Sequence, residues 1–156
     1  RNFRREGNIM PNHCYQSVFI KGPLDMVREL YFNLDSKAPR FCDVVAPMPL
    51  DQVGNSYEWC NENWGTKWDV KEVEIDEDGL EYSHDEYPIP VAWFSFKCWT
   101  AWAPPVPVWD KLHAMGIEVE ADYEDEGLMF KGEYMHGVDS SWEPTALDDE
   151  RWESEE

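Results

Sequence analysis

Apolar and polar positions alternate along several short stretches of this chain. Cys14, Gln16, Val18 and Ile20 fall on one side and Tyr15, Ser17 and Phe19 on the other, which predicts a strand over Cys14–Ile20. Gly22-Pro23 then opens a helix over Pro23–Leu34, in which Leu24, Val27, Leu30, Tyr31 and Leu34 recur at spacings of three and four and form one apolar stripe. Residues 37–66 contain Pro39, Pro47, Pro49, Gly54 and Gly65 and read as mostly loop. Strands resume at Val70–Ile75 and, past the turn Asp76-Glu77-Asp78-Gly79, at Leu80–Ser83. A stronger stretch follows from Val91 to Trp102, its strand predicted at Val91–Trp99, with Ala92, Phe94, Phe96, Cys98, Thr100 and Trp102 on one inward face. Val108–Met115 reads as a helix stopped by Gly116, with Val108, Leu112 and Met115 inward. Ile117–Tyr123 and Leu128–Tyr134 then read as a hairpin turned by Asp125-Glu126-Gly127.

Strand, helix, strands, helix, strands is the order of an α+β split βαβ sandwich of the ferredoxin-like type. The expectation is one antiparallel-rich sheet, two helices on one face and a C-terminal hairpin strand. Residues 10–138 are the expected domain. Residues 1–9 precede Met10, and codons for Arg4-Arg5-Glu6-Gly7 are compatible with a purine-rich ribosome-binding site, so Met10 is the expected natural start. Residues 139–156 are the expected acidic tail, with Trp142, Leu147 and Trp152 its few large apolar groups.

Charge changes the picture more than composition does. Asp and Glu number 33 against 13 Lys and Arg, a formal net charge of −20. Such a field repels phosphate backbones and anionic membranes and attracts basic partners, so direct nucleic-acid or membrane binding is not expected. Nine Trp, seven Tyr and seven Phe still provide enough apolar area for a core. Neither an apolar run of about 18 residues nor the apolar segment of a signal peptide is evident, which points to the cytoplasm. Cys14, Cys42, Cys60 and Cys98 form no CxxC pair and read as buried free thiols.

Three segments are distinctive: Met10-Pro11-Asn12-His13-Cys14, Asn63-Trp64-Gly65-Thr66-Lys67-Trp68-Asp69, and Thr100-Ala101-Trp102-Ala103-Pro104-Pro105. With Tyr123-Glu124 and Gly127, over most of residues 10–135, they resemble the YubB-like family of plasmid and phage proteins. The resemblance implies a ferredoxin-like domain, a mobile-element origin and action inside a bacterial host cell. It brings no activity or catalytic residue. This chain departs from the family at His13, where Trp is usual, and in its acidic tail.

Two constellations are candidate sites. Glu72, Glu74 and Asp76 alternate on one expected strand and Glu118, Glu120, Asp122 and Glu124 on another. Carboxylates on alternate strand residues stand about 6.8 Å apart, close to the roughly 6–7 Å between neighbouring phosphates of a nucleic-acid strand. These ladders could serve as a partner-binding surface or as an ordinary solvated sheet face, offset in part by Lys97 and Lys131. The second candidate is a pocket of Asn63, Trp64, Thr66, Lys67, Trp68, Asp69 and Trp102, with Trp walls and Lys67 gripping an anion. The structural alternative is a Gly turn with a Lys67–Asp69 charge pair and Trp68 and Trp102 buried. His13, His84, His113 and His136 have no ligand-spaced partners. No GxSxG, HExxH, GxxxxGK(S/T) or GxGxxG occurs, so neither catalytic residues nor a cofactor or metal is assigned. The reading is an acidic phage or plasmid accessory protein that binds a host nucleic-acid-handling or defence protein with a basic surface, as a DNA mimic. The alternative is a small-molecule-binding or enzymatic domain using the Trp-lined segment. Oligomeric state is open.

Overall fold

A computed structural model describes residues 12–83 and 89–144; the expected leader and most of the acidic tail lie outside them. The protein is α+β, built on one seven-stranded sheet in which every pairing is antiparallel. The strands are β1 (His13–Pro23), β2 (Lys71–Ile75), β3 (Glu81–Ser83), β4 (Val91–Ala101), β5 (Glu118–Asp125), β6 (Lys131–Met135) and β7 (Val138–Trp142). Their order is β2-β4-β1-β5-β6-β7, with β3 also paired to β4. The helices are α1 (Leu24–Leu34), α2 (Cys42–Val45), α3 (Ser56–Asn63) and α4 (Val106–Ala114), and a 3-10 helix covers Leu50–Asn55.

Alternation on β1, β4 and β5 fixes which face is covered. Cys14, Gln16, Val18 and Ile20 pair with Thr100, Cys98, Phe96 and Phe94 on one side and with Asp125, Tyr123, Ala121 and Val119 on the other. All of these are buried. Helix α1 adds Val27, Leu30 and Leu34 to the same core and sets the Tyr31 ring edge-on to Phe94 at 5.3 Å. Helix α4 adds Val108, Trp109 and Leu112, with Trp109 5.3 Å from Tyr134 and 6.2 Å from Tyr123. Two polar side chains are satisfied within this core: Gln16 donates to Thr100 Oγ1 and to the Cys14 carbonyl, and Thr100 donates to the Ala103 carbonyl.

Four sequence expectations need correction. The stretch 37–66 is largely helical, holding α2, the 3-10 helix and α3. Its helices are short, and the Asp69 carboxylate that receives the N–H groups of Phe41, Cys42 and Asp43 at the start of α2 comes from 26–28 residues downstream. Trp102 is not buried. The strand ends at Ala101, Trp102 takes φ +72 with its N–H donated to the Asn12 carbonyl, and the indole stays 48% exposed. In α4 the buried aromatic is Trp109, while Met115 falls after the helix and is exposed. The last expected strand starts later, because Leu128 at φ +58 belongs to a turn in which the Asp125 carboxylate accepts the N–H groups of Gly127 and Met129.

The sheet also continues past residue 138. His136 and Gly137, at φ +54 and +78, make a two-residue turn between the paired Met135 and Val138. Positive φ at both central residues matches the right-handed twist of the flanking strands, and β7 follows as an edge strand.

Candidate functional site

The residues pointing away from the core form four cross-sheet rows, and the register gives their order. Glu74, Lys97, Ser17, Asp122 and Glu133 lie in one row across β2, β4, β1, β5 and β6. Beside it runs Asp76, Ser95, Phe19 and Glu120, with the Asp76 N–H donated to the Ser95 carbonyl at 2.9 Å. Trp99, Tyr15, Glu124 and Lys131 form the row on one side, and Glu81, Trp93, Lys21 and Glu118 the row on the other. The β5 ladder Glu118, Glu120, Asp122, Glu124 therefore lies wholly on this open face. Glu74 and Asp76 of the β2 ladder share it, three strands away.

Glu72 departs from plain alternation. A bulge between Lys71 and Glu74 sets Glu72 and Val73 against the single position Cys98, and Glu72 takes φ +50. Its carboxylate still accepts the Trp99 indole N–H at 3.0 Å, so the group reaches the open face while the backbone slips. Trp99 is stacked in turn on His13, with ring centroids 3.5 Å apart.

Between the two acidic strands the face sinks into a trough of about 530 Å³. Glu74, Asp76, Glu77, Glu120 and Asp122 contribute carboxylates to it and Lys97 the one ammonium; Phe19 and Met135 supply apolar surface and Ser17 and Ser95 hydroxyls. No ion pair to Lys97 occurs among the described residues. Two members of the ladder, Glu120 and Asp122, have raised proton affinity. Glu120 is pushed above the usual carboxylate range first by a hydrogen bond shared with Glu118, then by desolvation and the Glu118 charge. Asp122 is raised by desolvation and by Glu133 on the next strand. Glu133, Glu77, Phe19 and Met135 were missed from sequence; the register that brings them together is not local.

The Trp-lined segment has a different geometry. Trp64 is buried and donates its indole N–H to the Ala46 carbonyl at 2.8 Å. Thr66 Oγ1 donates to the Ala101 carbonyl, and Asn63 donates to the Trp59 carbonyl one helical turn back. Gly65 sits at φ +77, and a Cβ there would lie 2.7 Å from the Pro107 ring. Asp69 does not pair with Lys67: it accepts four backbone N–H groups, from Phe41, Cys42, Asp43 and Val70. The Lys67 ammonium instead lies 5.1 Å from the partly buried Trp68 ring and 5.5 Å from Tyr57.

No family model, curated protein or solved structure matches the chain. Among the described residues no group of three or more His, Cys, Asp or Glu is arranged to hold a metal ion, and no helix is long and apolar enough to cross a membrane. The four cysteines are buried and unbridged. Burial pushes the Cys14 thiol up to about 12 and those of Cys42 and Cys98 well above the usual range, so these three are poor nucleophiles at neutral pH.

Proposed function

We propose that this protein is an acidic accessory factor of a phage or plasmid that acts in the bacterial cytoplasm. It binds a basic host protein that handles nucleic acid or serves defence, and its open face mimics the charge pattern of DNA. The fold that goes with this reading is a ferredoxin-like split βαβ core of β2-β4-β1-β5 with α1 and α4 on one face, extended by β3, β6 and β7. The order of those four strands and the rings that α1 and α4 set on Phe94 and Tyr123 support it. The mobile-element origin rests on the YubB-like resemblance alone.

One observation carries the functional reading: the β5 ladder and the carboxylates of β2 share the sheet face opposite the core, on strands flanking β4 and β1. Like charges on neighbouring strands cost about 0.2–1 kcal/mol per opposed pair, and Asp122 stands directly opposite Glu133. A basic partner relieves that repulsion and gains from the net charge of −20 through a faster, salt-sensitive approach. The alternative of a ligand pocket in the Trp-lined segment finds no such support, since Trp64, Thr66 and Asp69 spend their polar atoms on the protein's own backbone.

The test is capture from bacterial lysate with the intact protein and with a Glu118→Gln, Glu120→Gln, Asp122→Asn, Glu124→Gln variant. A nucleic-acid-binding protein retained by the parent, released by salt and by duplex DNA, and bound about ten-fold more weakly by the variant supports the reading. Equal affinity of parent and variant for that partner sinks it.

A further inference from the structure

We infer that the trough is shaped for an α-helix with basic side chains along both flanks, an inference that rests on the open face being the binding surface proposed above. The acidic strands β2 and β5 are separated by β4 and β1. Three strand intervals place their rails about 14 Å apart. An α-helix with its side chains is about 10–12 Å across and fills such a space, as it fills the roughly 12 Å major groove of DNA. An extended segment is narrower, and when its alternating side chains point to the two rails none is left to cover the floor.

Length agrees with width. The β5 rail runs about 20 Å from Glu118 to Glu124 at the strand rise, the length of about fourteen helical residues, with Glu120 and Asp122 at its centre lining the trough and Glu118 and Glu124 lying beyond its ends. Arg or Lys on one flank of such a helix faces Glu120 and Asp122, and on the other flank Glu74, Asp76 and Glu77. Its underside meets Phe19, Ser17 and Ser95 and must carry apolar or small residues, while Met135 stands on β6 beyond the β5 rail. Lys97 lies on the same floor and repels any cation placed directly over it, so the trough selects for cations on the flanks rather than on the underside.

The probe is a synthetic 16-residue helix-forming peptide with three Arg on each flank and Ala and Leu beneath, compared with a peptide of equal charge in which two central residues are Pro. Both are titrated into the intact protein at low salt, followed calorimetrically and by circular dichroism. The helix former is expected to bind about ten-fold tighter and to gain helicity on binding. Ser17→Trp, a substitution at an exposed position that fills the floor without altering charge, should weaken it about ten-fold. Lys97→Ala should tighten it by about two- to five-fold. Equal affinity of the two peptides, or indifference to Ser17→Trp, overturns the helical occupant while leaving an acidic docking face in place. If neither peptide binds and neutralising the ladder leaves capture of the host partner unchanged, the docking face itself is refuted.

Discussion

The segment from Asn63 to Asp69 and the open face of the sheet are both rich in groups that bind ligands, yet they use them in opposite ways. In the segment, Asp69 is surrounded by four backbone donors, Trp64 is closed over by Trp59 and bonded to Ala46, and Thr66 ties the loop to the end of β4. On the open face Glu118 crowds Glu120 and raises its proton affinity, and Asp122 faces Glu133. A carboxylate whose lone pairs are filled by its own backbone has little left for a ligand. One crowded by its own kind gains from any cation that arrives.

The largest effect expected is in the segment. Trp64→Ala should cost about 3–5 kcal/mol in urea unfolding through the cavity left beside Trp59 and the loss of the bond to Ala46. A cost under about 1 kcal/mol would reopen the segment as a site. Asp69→Ala comes next, at about 2–3 kcal/mol, because it strands the first N–H groups of α2; loss of helical ellipticity alongside the stability change would trace it to α2.

On the open face the sign should reverse. The four-fold ladder variant is expected to keep its fold and to unfold no more easily than the parent, gaining up to about 1 kcal/mol from relieved repulsion. A clear loss in thermal melts would mean the carboxylates have structural partners after all. The smallest effect concerns pH. Glu120 and Asp122 have native proton affinities above their ordinary values, so the stability they contribute is fully present below those values and is lost as pH rises through the raised native ones. Acidification from neutrality into that window should therefore stabilise the parent slightly relative to the variant, and parallel stability-versus-pH curves would contradict the coupling.

Much of the sheet was legible because burial on one face imposes a period of two. Cys14, Gln16, Val18 and Ile20, then Ala92, Phe94, Phe96 and Cys98, and Val119, Ala121 and Tyr123 are buried as their alternation implies. The ladder was legible for the same reason on the other face. What escaped depended on distant partners or single backbone torsions: α2 is held by Asp69, Trp102 is turned out by its φ of +72, and the bulge at Glu72 displaces a register that simple alternation extends unbroken. The edge strand β7, all of it exposed, has no apolar face to announce it. The trough was not legible at all, since its walls come from residues 74–77 and 120–122, and only the strand order brings them near each other.

That strand order also sets a schedule for synthesis. β1 lies between β4 and β5, so a segment ending at residue 23 has no neighbour to pair with until residues 91–101 and then 118–125 have been made. At roughly 5–20 residues per second the wait for β4 alone is on the order of 3–14 s. During that interval Val18, Phe19 and Ile20 form an apolar stretch whose two strand neighbours have not yet been made, and partners so distant in sequence are of the kind that slow folding and leave strand edges unprotected.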